Sequence, residues 1–380
     1  MAPHTDLFTA FNFIRKFLEI SGHWPHTTLS ISSELRSFLS FTSSLIFFVT
    51  NMMEIVLHFS DFKDLAENMS VTAPVFAYIV KLVVFKMKRR EFFRMVEMMT
   101  NAKTFEPRSE AHGDFVKTMG KTCILVMKIY GGICAVVVTL YACLSLSSET
   151  VLPIKFSYDF GSWVYGMYAF QMTAIMNVAL NTVCLDMLAV CFMGTAIAQL
   201  QILEQKIHDL TKFDHEDYSP EEETRRMKQC VVHHTDIIKF LTSVENIFNL
   251  FFLSQYLSSI FSICNIGFQL ANIHPMSAQF ANMVFYFSAM MWQLATFCWF
   301  GNEIVLKSLA LGDACYKTDW LQSSNEIKRS LIIIMTRANR QLAVTAGKFS
   351  ILSLRSLTSI MNASYSYFAL MQRLYKKEQI

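Results

Sequence analysis

Residues 163–197 read WVYGMYAFQMTAIMNVALNTVCLDMLAVCFMGTAI, 35 positions with a single Asp, Glu, Lys or Arg, which is Asp186. As a helix at 1.5 Å per residue this stretch is about 52 Å long, against a hydrocarbon core of about 30 Å. It therefore reads as a membrane-spanning helix whose second half continues into water. Asp186 comes about 23 residues into it, which puts the carboxylate near the far interface rather than at the bilayer centre.

The rest of the chain fits that solvent. Of 380 residues, 53% are hydrophobic and 17% charged, where a soluble domain carries about 25% charged residues. With Gly at 12 and Pro at 7, disordered and collagen-like classes are excluded and a large β protein is disfavoured. Six further segments are apolar over roughly a bilayer's thickness: 38–57, 71–85, 123–146, 247–270, 280–300 and 349–370. The expected fold is all-α, one seven-transmembrane domain over 1–380. The segment 71–85 is short and carries Lys81, whose stem can snorkel to the interface. The last segment is rich in Ser, which suits a pore wall and tight helix packing alike. At the amino end, Phe8, Phe11 and Phe13 precede Arg15 and Lys16 without a signal-peptide core. An amphipathic helix on the membrane surface and a solvated helix are equally consistent with that.

Loops alternate in charge. Roughly 24 Lys and Arg fall on the side of the N-terminus and roughly 5 on the other. By the positive-inside rule the N-terminus is cytosolic and the C-terminus extracellular. Asn68-Met69-Ser70 fits an N-glycosylation sequon in the first outside loop. This orientation excludes G-protein-coupled receptors, as does the absence of Cys from the loop 147–160 and of DRY-like and NPxxY-like motifs. No G protein and no nucleic acid is expected as a partner. On the basic side, Phe92, Phe93, Met95, Val96, Met98 and Met99 form an apolar helix face. Val231, Ile237, Ile238, Leu241 and Val244 form a second stripe. These point to a cytosolic helical bundle, which serves subunit assembly or packing within one chain.

Catalytic signatures are missing: no G-x-S-x-G, P-loop, G-x-G-x-x-G or HExxH occurs. The 9 Cys include no CxxC pair, and His233 and His234, about 100° apart on a helix, suit one metal poorly. No cofactor or metal is expected. The sequence does offer a lining for a small apolar ligand. Four helices carry candidates in their outer halves: Val75, Tyr78 and Ile79; Cys134, Val137 and Tyr141; Tyr168, Met172 and Met176; Met283, Tyr286 and Phe287. Ordinary interhelical packing accounts for the same pattern.

The C-terminal third resembles the insect odorant receptors. It contains Gly301-Asn302-Glu303, Ala314-Cys315-Tyr316, Trp320, Met335-Thr336-Arg337-Ala338, Gln341, Ala346-Gly347-Lys348-Phe349 and Leu352-Ser353-Leu354. It closes on Ser364-Tyr365-Ser366-Tyr367-Phe368. The run from His233 to Phe248 and the pair Leu152-Pro153 fit the same pattern. The resemblance implies an odorant-gated, non-selective cation channel of four subunits, in which a tuning receptor assembles with a shared co-receptor in the plasma membrane of olfactory neurons. It also implies an odorant pocket in the outer halves of helices two to six. The pore would be lined by the seventh helix, with Ser366 on its wall, an apolar gate at Leu370 and Arg373 near the mouth. Arg373 stands where the related gustatory receptors have Gln, which favours a tuning odorant receptor. A gustatory channel remains the alternative, with a small-molecule transporter behind it. Transporters carry paired intramembrane charges or repeats, and the sequence displays neither.

Overall fold

The computed structural model describes residues 6–25, 31–57, 62–101, 105–107, 109, 110–147, 152, 154, 161–211, 219–321 and 323–378. Pro153 of the expected family pattern lies outside them. The helices are α1 (Asp6–Ile20), α2 (Ile31–Leu57), α3 (Phe62–Met87), α4 (Arg89–Asn101), α5 (Glu110–Ser147), α6 (Val164–His208), α7 (Pro220–Asn272), α8 (Ala278–Lys317), α9 (Asn325–Ala338) and α10 (Leu354–Glu378). A two-stranded antiparallel hairpin, β1 (Thr345–Ala346) and β2 (Ser350–Ile351), precedes α10.

Among the described residues, six helices are long and apolar enough to cross a membrane: α2, α3 from Leu65 onward, α5, α6, α7 and α8. All overrun the lengths expected from hydropathy. The 53 residues of α7 span about 80 Å and the 45 of α6 about 68 Å. The largest excess lies at the ends bearing the basic loops, where α5 begins, α6 ends, α7 begins and α8 ends, whereas α3 gains most of its extra length at its start. Hydropathy sees only the part that faces lipid, because the extensions are amphipathic. Ser324 caps α9 by accepting from the Ile327 amide at 3.4 Å.

In this basic-end bundle Phe92, Met95 and Met99 of α4 are buried, as are Ile237, Leu241 and Val244 of α7. Val231 does not join the second stripe. It is 40% exposed, and Cys230, His233 and His234 turn inward instead. His233 is held between α6 and α7, with Nε2 2.9 Å from Gln199 Oε1 and Nδ1 3.1 Å from Lys206 Nζ. Burial, with Arg337 nearby, holds the His234 imidazole below its ordinary pKa.

Two expectations fail here for simple physical reasons. Asn68 lies inside α3 and is buried, so its amide is neither in a loop nor accessible to a glycan, and the sequon carries no topological weight. The last helix begins at Leu354 rather than 349. Gly347 and Lys348 both have positive φ, 61° and 63°, and Phe349 N–H donates to Ala346 O at 3.2 Å, which closes a hairpin turn. A Cβ on Gly347 would also meet Leu253 at 2.7 Å. Gly301 of α8 has a similar role: a Cβ there would stand 2.4 Å from Leu352 Cβ, so this glycine lets the hairpin lie against α8. Glu245 fastens the hairpin to α7, accepting from the Thr345 amide at 2.7 Å and from its hydroxyl.

The amino-terminal helix neither floats nor merely rests on a surface. Leu7, Ala10, Phe11, Ile14 and Leu18 of α1 are buried in the common core, packed on α5 and α6.

Candidate functional site

Residues of five helices line a partly open cavity of about 120 Å³ in the membrane-spanning bundle. Phe47 of α2, Val71 and Val75 of α3, Tyr130, Val137 and Tyr141 of α5, Val178 of α6 and Tyr286 and Met290 of α8 supply its wall. One local feature of α3 sets part of the geometry. Pro74 sits inside the helix and has no amide hydrogen for the carbonyl of Ser70, four residues back. The Tyr286 hydroxyl takes up that freed carbonyl at 2.7 Å, and the Ser262 hydroxyl approaches it at 3.5 Å. A proline-made vacancy in α3 thus fixes a tyrosine of α8, whose ring faces the cavity.

The Tyr130 hydroxyl also turns outward from the cavity, to Asp186 Oδ2 at 3.5 Å. Below the cavity, Lys81 Nζ lies 2.5 Å from Asp186 Oδ1, with both side chains fully buried. Lys81 Nζ also sits 4.6 Å from the centre of the Phe251 ring. The amide of Gln293 donates to Asp186 Oδ2, and Gln255 Nε2 donates to Gln293 Oε1 at 2.7 Å and to Ser259 Oγ at 3.1 Å. Lys81 therefore does not reach out to solvent, and Asp186 is buried against it inside the protein. They form the intramembrane pair that the sequence did not display, because its members are 105 residues apart. A buried charge in a membrane domain is costly and persists only when paired.

Of the twelve candidate ligand residues, Val75, Cys134, Val137, Tyr141 and Tyr286 line the cavity. Met176 lines an adjoining groove between α1, α5 and α6. Tyr78 is fully buried toward the basic end rather than in the outer half, its hydroxyl 3.4 Å from His23 Nε2. The Tyr168 hydroxyl donates to Ala142 O at 3.2 Å. Ile79, Met172, Met283 and Phe287 are buried or half-buried in helix packing away from the cavity wall. Sequence reasoning missed Phe47 and Tyr130: α2 was given no ligand role, and Tyr130 shares its helix face with Cys134, Val137 and Tyr141 at spacings of four, seven and eleven.

α10 turns one side to α7. Phe268 meets Tyr375 edge-on at 5.3 Å, Cys264 Sγ lies 3.4 Å from Met371 Sδ, and the Ser364 hydroxyl donates to Ile260 O at 3.5 Å. On the other side Ser366, Leu370 and Arg373, at spacings of four and three, are all exposed.

A sequence profile described as 7tm Odorant receptor matches residues 61–365. The chain belongs to this 7tm odorant receptor family. It is 23% identical to Odorant receptor 13a of Drosophila melanogaster, over 94% of both chains. It is 30% identical to Odorant receptor Or2 of Anopheles gambiae, over 39% of each. The fold matches the insect olfactory receptor OR5 from Machilis hrabei with a TM-score of 0.85, at 20% identity, covering 97% of this chain and 98% of that one. The same receptor in complex with eugenol matches with a TM-score of 0.84 at 19% identity, over 97% and 100%. The odorant receptor is thus an all-α, seven-transmembrane, multi-pass membrane protein. Its seventh crossing is α10, which is long enough at 25 residues but carries too many hydroxyl and charged side chains to stand out by hydropathy.

Proposed function

We propose that this chain is the odorant-binding subunit of a ligand-gated, non-selective cation channel, assembled with co-receptor subunits in the plasma membrane of olfactory sensory neurons. The observation that carries the reading is the mostly apolar cavity of about 120 Å³, two of whose tyrosine hydroxyls, at positions 130 and 286, are engaged elsewhere. An apolar protein cavity of about 150 Å³ holds benzene. A single-ring or short-chain volatile is therefore the matching class, recognised by shape and dispersion. A sugar would bring more hydroxyls than the few polar groups of this wall, such as Thr182 and Tyr141, can pair, which disfavours the gustatory alternative. The eugenol held by the related receptor is a compound of the same kind.

The orientation we infer has the N-terminus cytosolic, on the distribution of Lys and Arg alone. A C-terminal epitope should stain on intact cells; staining only after permeabilisation would reverse the assignment. The extended helices at the basic end then form the cytosolic region through which subunits assemble.

The exposed stripe of Ser366, Leu370 and Arg373 is the pore-facing side of α10 in this reading. A ring of apolar side chains in a narrow passage excludes hydrated ions until the helices part. Coexpressed with the co-receptor, Leu370→Ala should raise the resting current several-fold, and Arg373→Gln should change unit conductance or cation permeability ratios. Wild-type resting current, conductance and selectivity in both variants would place the pore wall on other residues.

A further inference from the structure

Beside the cavity lies a groove of about 690 Å³ that opens on the outside of the bundle, at the lipid-facing junction of α1, α5 and α6. Phe13 and Phe17 of α1, Met127 and Ala135 of α5 and Met176 and Leu180 of α6 border it. Its wall is apolar apart from Lys128, Thr9 and Thr139. Cys134, Val138 and Ala179 line both the groove and the cavity. The groove and the cavity therefore adjoin at these three small or medium side chains.

Gly131 and Gly132 supply a second, independent observation. Both line the groove, and a Cβ on either would meet nothing within 4 Å. Glycine in a helix costs about 1 kcal/mol relative to alanine. In membrane helices glycine is usually explained by the close approach of a neighbouring helix. No helix approaches here, so the effect of the pair is the depth of the groove itself.

We propose that the groove is the entry route by which apolar odorants, dissolved in the bilayer, pass between α5 and α6 into the cavity. This rests on the odorant-receptor reading and names the phase from which the ligand comes. Concentration in lipid raises the local supply of an apolar molecule, and Val138 and Cys134 stand where the two spaces adjoin. A route differs from a binding site in one measurable way. Narrowing it slows entry and exit by the same factor and leaves the equilibrium occupancy unchanged.

The test uses the full chain in lipid nanodiscs, with a benzene-sized apolar photoprobe, a phenyl diazirine. The probe is mixed in and flashed at increasing delays, and labelling of the cavity segments around Tyr130, Tyr141 and Tyr286 is read by peptide mapping. Gly132→Leu, which fills open space, should slow labelling at least threefold and reach the wild-type plateau. Leu180→Ala, at the 51% exposed rim, should accelerate labelling to that plateau. Equal rates in all three proteins would overturn the route, and so would a lowered plateau reached at the wild-type rate. A groove that holds only lipid would give the first of these results. Failure of the channel reading shows separately, as absence of odorant-evoked current in wild-type cells that display the protein.

Discussion

Replacing Lys81 by Met should strip most of the receptor from the cell surface and lower its thermal stability sharply, whereas Lys81→Met combined with Asp186→Leu should recover most of both. The single change leaves the Asp186 carboxylate fully buried with the Gln293 amide and the Tyr130 hydroxyl but no cation. Breaking one side of a buried pair costs about 3–5 kcal/mol, because the remaining charge is uncompensated. Replacing both members by apolar side chains of similar size is often neutral or stabilising. The double-mutant cycle should therefore show a coupling energy of several kcal/mol in favour of the pair, well above the roughly 0.5 kcal/mol expected of independent sites. Surface biotinylation and the melting profile of the purified protein read it out. A Lys81→Met receptor as stable as wild type would contradict the account, as would a double variant no better than the worse single. The pair also touches the cavity, since Tyr130 lines the wall with its ring and reaches Asp186 with its hydroxyl.

Segments 123–146 and 163–197 were legible as membrane spans because every turn facing lipid is apolar, whatever the helix does beyond the bilayer. The aqueous extensions of α5, α6, α7 and α8 were legible only in part, because their buried stripes alternate with charge. Sequence alone starts α10 five residues early, since Ala346-Gly347-Lys348-Phe349 leads directly into an apolar run, and only the positive φ at two successive residues reveals the turn. Within the site, Cys134, Val137 and Tyr141 share one face of one helix, so spacing alone brought them together. Sequence misplaces Tyr78 because spacing along α3 gives a face but no depth. Its hydroxyl lies near His23, which is close in the fold and 55 residues away in the chain. Lys81 and Asp186 look like two separate liabilities in sequence and become one pair only when α3 and α6 are packed together. The Tyr286–Ser70 bond was hidden for the same reason, although Pro74 announces a free carbonyl four residues earlier to any partner that comes within reach.

The cavity itself gives the second large effect. Ala289 lies on its wall, 2% exposed, three residues after Tyr286 on α8. A phenyl ring projecting from that position would fill a space smaller than the ~150 Å³ that accommodates one benzene. Because the cavity takes up much of the ring, Ala289→Phe costs less than the roughly 1–3 kcal/mol of overpacking a dense core. Val284→Phe, five residues earlier on a 40% exposed face, adds the same ring outside the cavity and serves as its control. The decisive measurement is the concentration dependence of current evoked by a panel of single-ring volatiles, in cells expressing the chain with a co-receptor and matched for surface receptor. Ala289→Phe should move the half-maximal concentration upward by more than 100-fold, about 2.8 kcal/mol of lost binding, or abolish the response, with Val284→Phe unchanged. An Ala289→Phe receptor that reaches the surface and responds to the whole panel at wild-type concentrations would show that odorants are not recognised in this cavity.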